Sequence, residues 1–352
     1  MKKILMTGGG TAGHVTPNIA LMDKLKGDFI IEYAGSKEGI EKKLIENIHI
    51  PYHKISSGKL RRYFDLKNFT DLFRIAKGLG DANSVIQKFK PDVIFSKGGF
   101  VTVPIVMAGA FNKVPVIIHE SDITCGLANK LSMPFAKYVC CSFPETLTAL
   151  PKNKAHLTGT PIRPGLFLGD AERGKKFLGF SGNKPVLLIM GGSLGSVKIN
   201  NIVGQALSTL LGGYDIIHLC GKGNLSQQNY RNYVQFEYVS KNLEDLFAAS
   251  DIIVSRAGAN SISEFLALKK PSLLIPLSKK ASRGDQILNA ESFQKQGFSM
   301  LLYEESLTSD SLIKNINELY NGRHTYIKNM SGSNLSNGVD EVCKVIYKTV
   351  GK

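Results

Sequence analysis

Short apolar runs alternate along the chain with longer stretches in which apolar residues recur every three or four positions. The runs at 3–7, 29–34, 93–96, 114–118 and 138–142 predict strands, and the stretches at 18–26, 38–47 and 68–88 predict helices between them. Strands regularly separated by helices imply a parallel sheet covered on both faces. The pattern breaks at Gly159-Thr-Pro-Ile-Arg-Pro-Gly165, a proline- and glycine-rich segment that predicts a linker. It then resumes with a strand at 185–190, glycines at 191–195, a helix at 196–211, and strands at 215–219, 252–255 and 272–275. The expected fold class is α/β, with two doubly wound domains at 1–160 and 165–334. A helical stretch within about 335–352 follows, and the pattern does not fix whether it packs back on the first domain.

Three glycine loops stand at the carboxyl ends of predicted strands: residues 8–13 within GGGTAGHVTP, Gly98-Gly99, and Gly191-Gly-Ser-Leu-Gly195. A glycine loop that opens a helix exposes backbone N–H groups and the positive end of the helix dipole, and both suit an anion. One such loop can also be a tight turn without a ligand. Three of them, at the edge where open α/β sheets bind ligands, point to a ligand. The first contains Gly8-x-Gly10-x-x-Gly13, the dinucleotide fingerprint. A dinucleotide site also needs an acidic residue at the tip of the second strand, about 20 residues further on. Glu32 lies 19 residues past Gly13, but its strand runs on through Tyr33-Ala34-Gly35, so Glu32 is expected inside the strand. A nicotinamide cofactor is therefore disfavoured.

Charge narrows the partners. The 352 residues carry a formal net charge of +15, which favours nucleic acid, acidic lipid headgroups or a phosphorylated substrate. No RNA-binding aromatic signature or helix-turn-helix pattern is present, so nucleic acid is not expected. No run approaches the ~18 apolar residues needed to span a bilayer. The first apolar segment is too short for a secretory signal, so a cytoplasmic location is expected. Cys140 and Cys141 are adjacent in a predicted strand, while Cys125, Cys220 and Cys343 lie far apart. They read as free thiols of a reducing compartment, without metal-ligand spacing.

A second constellation occupies residues 255–293. A strand ends at Ser255, and Arg256-Ala-Gly-Ala-Asn-Ser261 opens a helix that carries Glu264. The strand at 272–275 ends in Pro276, and a basic loop leads to Gln286 and Asn289 on a new helix. Helix N-termini with Arg256 and Arg283 suit a diphosphate. A carboxylate one or two turns into its helix can accept from both hydroxyls of a ribose, and amides can both donate to and accept from a sugar. A lone glutamate reads by default as a solvated helix face; its place after a glycine-rich turn favours a ligand for Glu264.

Taken in order, GGGTAGHVTP, KGGFVTVP, HESDITCGLANK, GTPIRP, GGSLGSVKINN and the RAGANSISE…SRGDQILNA block cover essentially the whole length. The set resembles the MurG family, bacterial glycosyltransferases that add N-acetylglucosamine to the undecaprenyl-linked muramyl-pentapeptide. The resemblance implies the GT-B fold, two Rossmann-like doubly wound domains facing a central cleft. The C-terminal domain would hold UDP-N-acetylglucosamine and the N-terminal domain the lipid-linked acceptor. Carried over, Glu264 would bind the ribose hydroxyls, and Gln286 with Asn289 the N-acetylglucosamine. Ser193 and Arg163 would contact the diphosphate or lie beside it. Thr11, Ala12 and Gly13 would meet the donor sugar, while His14, Glu120 and the Gly98–Gly99 loop would line the acceptor side. Ser121-Asp122 stands where many members have Gln-Asn, which leaves Asp122 on the acceptor side in place of an amide. Phe100 stands where a tyrosine is frequent.

Transfer requires oxocarbenium character at the sugar C1, a stabilised diphosphate leaving group and a base on the acceptor hydroxyl. Many glycosyltransferases hold a metal with Asp-x-Asp, a motif this chain lacks. The expectation is metal-independent transfer without a cofactor, with helix ends and Arg163 serving the diphosphate; the family reaction inverts the anomeric centre. His14 suits the base because a histidine titrates near neutrality, though a hydrogen bond that merely holds the loop is an equal reading. Glu120 or Asp122 could serve instead, and His119 reads as a core histidine. The lipid acceptor implies a peripheral position at the cytoplasmic face of the membrane. Residues 59–80 interleave Phe64, Phe69, Leu72, Phe73 with Lys59, Arg61, Arg62, Lys67 and Arg74, as in a basic amphipathic helix at an anionic interface or a helix packed on the sheet. The alternatives are another GT-B transferase with a different glycolipid acceptor, a nicotinamide oxidoreductase and a nucleotide-sensing module.

Overall fold

The computed structural model describes residues 1–57, 67–192, 195–239, 241–279 and 284–351, and of 67–75 the backbone alone. Ser193, Arg283 and residues 59–66 of the basic stretch lie outside the described residues; 67–80 belong to a helix, Lys67–Phe89. The chain divides into two compact units, Met1–Arg163 with Asn337–Lys352, and Pro164–Ser336.

The first unit carries a seven-stranded sheet in the order β3-β2-β1-β4-β5-β6-β7. Its strands are β1 (Lys2–Thr7), β2 (Phe29–Ser36), β3 (Tyr52–Ile55), β4 (Val93–Ser96), β5 (Val116–Glu120), β6 (Tyr138–Cys141) and β7 (Ala155–Leu157), all paired in parallel. Side chains alternate across it. Ile4, Met6, Phe95, Ile117 and Cys140 enter a core on one face with Leu21 and Leu25 of helix Thr16–Leu25. Leu5, Ile94, Ile118 and Cys141 enter another with Ile86 and Ile105. Burial on both faces explains why the central strands read as unbroken apolar runs.

Helix Val339–Val350 belongs to this unit. Val342, Cys343, Val345 and Ile346 join the first core, Tyr347 Oη donates to Asp28 at 2.9 Å, and Gly338 N donates to Thr160 O at 2.9 Å.

The second unit carries a six-stranded parallel sheet in the order β10-β9-β8-β11-β12-β13: β8 (Val186–Met190), β9 (Asp215–Leu219), β10 (Tyr233–Phe236), β11 (Ile252–Ser255), β12 (Ser272–Leu274) and β13 (Ser299–Leu301). Helices Val197–Gly213 and Ser309–Ser331 bury Val203, Leu207, Leu210 and Leu312, Ile316, Leu319 against Leu187, Ile189, Val254 and Leu273. In each sheet the strand order reverses beside the first strand, between β1 and β4 and between β8 and β11, where open α/β sheets form their binding crevice.

Four strands were absent from the sequence pattern: β3, β7, β10 and β13. They are the four sheet edges, only partly buried, and so carry no apolar run.

Candidate active site

The first unit assembles a polar cluster where β1, β4 and β5 end. After β1 the chain passes through Gly8–Thr11, a 3-10 turn at Ala12–His14, and into helix Thr16–Leu25. After β4, Lys97 N donates to Thr7 O at 2.9 Å, and Gly9 N donates to Gly98 O at 3.2 Å. Gly99 has φ +93°, and a Cβ there would run into the Gly9 carbonyl, so only glycine lets the two loops touch.

His14 closes this arrangement. Its Nδ1 lies 2.8 Å from Gly9 O. A carbonyl only accepts, so Nδ1 carries the hydrogen and the neutral ring keeps its lone pair on Nε2. Burial is the main cause that holds the His14 pKa below its ordinary 6.5; the Gly9 hydrogen bond opposes it, the Lys97 charge adds to it, and Asp122 and Glu41 oppose it. Thr11 is exposed, and Ala12 and Gly13 are half-buried beside it.

The first glycine loop already binds an anion, the carboxylate of Glu41. Glu41 is fully buried, accepts from Gly10 N at 3.2 Å and holds Ser36 through N at 3.1 Å and Oγ at 2.5 Å. A Cβ added at Gly9, Gly35 or Gly39 would run into its side chain. Sequence reasoning passed Glu41 over, because the approach of Gly9 to its carboxylate is made only by the fold. The Gly10 N–H expected to face a phosphate is taken up internally.

Glu120, a candidate for proton transfer, is engaged by its own turn. Its Oε1 accepts from Ser121 N at 2.9 Å and Asp122 N at 3.1 Å, and its Oε2 from Gly126 N and Asn129 Nδ2, each at 2.9 Å. Four donors fill the lone-pair sites of a carboxylate, so taking a substrate proton would break the 121–126 turn. Glu120→Gln places an NH2 against these donors and is expected to cost about 1–3 kcal/mol, checked by denaturant unfolding. His119 is the core histidine expected: wholly buried, with Nε2 donating to Gly159 O at 2.9 Å.

The second unit gathers its polar residues where β8, β11, β12 and β13 end. Ser196 caps helix Val197–Gly213, its Oγ accepting from Ile199 N at 3.4 Å. Gly195 has φ +76°, and a Cβ there would run into the Cys220 carbonyl. Arg256 is corrected from a diphosphate ligand to an internal strut. It is buried and donates to Glu304 at 2.5 Å, Ser196 Oγ at 2.7 Å, Ile275 O at 3.1 Å and Pro276 O at 3.3 Å.

Glu264 lies half-buried in the second turn of helix Ala259–Ala267. Gln286, in the first turn of helix Asp285–Lys295, accepts from Leu277 N at 3.1 Å, which orients its amide with the NH2 as donor. Asn289 is fully buried and donates to Ala257 O at 3.3 Å. It braces the turn before Ala259. Arg163 is half-buried at the close of the first unit's main segment. Thr11–His14, Gly98–Gly99 and Glu120–Asp122 thus meet in one unit, and Glu264, Gln286 and Asn289 in the other. Glu32 lies inside β2, bonded to His53 of β3 at 2.5 Å, and not at the strand tip where a dinucleotide ribose would need it.

The family models for the glycosyltransferase family 28 N-terminal domain and C-terminal domain match residues 4–141 and 186–345. The UDP-N-acetylglucosamine–N-acetylmuramyl-(pentapeptide) pyrophosphoryl-undecaprenol N-acetylglucosamine transferase of Clostridium tetani is 57% identical, covering 99% of this chain and 98% of its own. The protein of the same name from Clostridium botulinum is 58% identical, covering 99% of both. The crystal structure of Acinetobacter baumannii MurG superposes with a TM-score of 0.77 at 23% identity, over 99% of this chain and 100% of that one. The two parallel-sheet units have the GT-B fold that this likeness shows. Matched by both domain models and identical at more than half its positions to these transferases, the chain belongs to glycosyltransferase family 28, among the N-acetylglucosamine transferases that act on pyrophosphoryl-undecaprenol-linked N-acetylmuramyl-pentapeptide.

Proposed function

We propose that the chain transfers N-acetylglucosamine from UDP-N-acetylglucosamine to a hydroxyl of undecaprenyl-pyrophosphoryl-N-acetylmuramyl-pentapeptide, the lipid I to lipid II step of peptidoglycan synthesis. The observation that carries the residue-level reading is His14, with Nδ1–H fixed on Gly9 O and the Nε2 lone pair left for a proton. The acceptor oxygen attacks C1 of the α-linked donor from the face opposite UDP. The C1–O bond breaks with its electron pair going to the diphosphate, His14 Nε2 takes the hydroxyl proton, and the product is β-linked. Gly98, Gly99 and Asp122 line the acceptor side, and Glu120 holds the turn that presents Asp122. Thr11, Ala12 and Gly13 contact the donor sugar, Gln286 with Asn289 nearby holds the N-acetylglucosamine, Glu264 the ribose, and Ser193 and Arg163 contact the diphosphate or lie beside it. Helix ends and Arg163 stabilise the leaving group, so neither metal nor cofactor enters the reaction. No helix among the described residues is long and apolar enough to cross a membrane. The basic, aromatic stretch at 59–80 and the charge of +15 support a peripheral position on the anionic cytoplasmic face.

The test is transfer from labelled UDP-N-acetylglucosamine to purified lipid I in excess EDTA. A labelled disaccharide lipid with full rate is expected. Transfer only after a divalent cation is restored overturns the metal-free leaving group, and failure to use lipid I while another glycolipid is glycosylated overturns the acceptor.

A further inference from the structure

One lysine is buried at the end of β4, directly before the second glycine loop. Lys97 is 1% exposed, and an ammonium taken out of water is costly unless it is paired. Here it has two acceptors. His119 gives its Nε2 hydrogen to Gly159 O, so its Nδ1 accepts from Lys97 Nζ at 3.0 Å, and Ser121 Oγ accepts from the same ammonium. Glu120, Asp122 and the Cys140 thiol are the other titratable groups around it. Burial pushes the Lys97 pKa down to about 8 against the pull of Glu120 and Asp122, so at neutral pH it is a cation. The same burial, with Lys97 beside it, keeps His119 neutral.

The backbone on both sides of this lysine is tied to the loop that holds His14. Lys97 N is bonded to Thr7 O, Gly98 O to Gly9 N, and Gly9 O to His14 Nδ1. The charged groups that face His14 are Lys97, which opposes a second positive charge, and Asp122 and Glu41, which favour one. Ser121-Asp122 is the complement of this lysine: a short hydroxyl that accepts from the ammonium and a carboxylate that balances it.

We propose that Lys97 is a positioning residue for the transfer: its ammonium, clamped between His119 and Ser121, fixes the Ser121–Asp122 turn and by its charge keeps His14 Nε2 unprotonated. The inference rests on the reading of His14 as the base, and the experiment separates the two.

Histidine-labelled full-length protein is titrated by NMR, with the His14 signal assigned by its loss in His14→Asn. Two variants accompany it: Lys97→Met, which removes charge and donor together, and Lys97→Gln, which removes the charge and keeps a donor for Ser121. Expected is a wild-type His14 midpoint below 6.5, raised by about half a pH unit or more in both variants. The acid limb of kcat/KM for lipid I should rise with it. A wild-type midpoint at or above the ordinary value overturns the inference without any variant. So does an unchanged midpoint in either variant that folds. A midpoint that moves while the acid limb stays in place overturns His14 as the base, and with it the part of Lys97 in the transfer.

Discussion

His14→Ala is expected to lower kcat/KM for lipid I by about 10²–10⁴-fold, the range of a lost general base. Calorimetric binding of UDP-N-acetylglucosamine should change little, because the ring's contacts, Gly9 O and Thr11 Oγ1, lie within its own loop. His14→Asn separates catalysis from loop support. The asparagine amide can restore a donor near the Nδ1 position but carries no basic nitrogen. An asparagine variant as slow as the alanine variant supports the base, and one that recovers wild-type rate shows that the ring only holds the loop. The pH dependence has a definite sign. A group held below 6.5 is unprotonated through the neutral range, so kcat/KM should be flat near pH 7 and fall as pH drops through the lowered pKa.

The largest stability effect is expected at Arg256 and Glu304. Either Arg256→Met or Glu304→Leu leaves a buried charge without its partner, at a cost of about 3–5 kcal/mol. The double variant should cost less than the sum, because no unpaired charge remains. The effect extends to ligand binding. Arg256 holds the Ser196 cap and the carbonyls of Ile275 and Pro276, while Glu304 accepts from Ser278 N at 3.4 Å, so one ion pair ties together the loops after β8, β12 and β13. Unfolding by denaturant at pH 7 and at pH 3, with UDP binding in parallel, checks both. Burial alone would raise the Glu304 pKa, but the Arg256 hydrogen bond and charge outweigh it and hold it below the ordinary 4.5. Its contribution to stability is therefore complete above 4.5 and is lost as pH falls through that lowered pKa. Variants as stable as the parent at pH 7 would sink this account.

The interior strands of both sheets were legible because burial on two faces writes an unbroken apolar run. The edge strands were not: β7 is Ala-His-Leu and β13 Ser-Met-Leu, and neither differs from a loop in composition. Helix Ser309–Ser331 went unread too, although Thr308 and Ser311 form a reciprocal cap at its start. In the candidate site the glycine loops and the identity of the polar residues were legible. What each polar side chain does was not, because the fold decides which neighbour it meets, whether nine residues away or 48. Glu120 is answered by Asn129, Asn289 by Ala257 and Arg256 by Glu304. A sequence states that a carboxylate or an amide is present. Only the fold states whether a neighbour has already taken it.

Helix Val339–Val350 sets the order in which this protein can mature. Residues 164–336 are a complete α/β unit lodged inside the sequence of another, whose core lacks Val342, Cys343 and Ile346 until those residues arrive. During synthesis the internal unit has all its strands before the outer one has its last helix. The portion of the chain made first is thus finished last, and until then the part of one sheet face that this helix covers stays open to the aqueous phase and to chaperones.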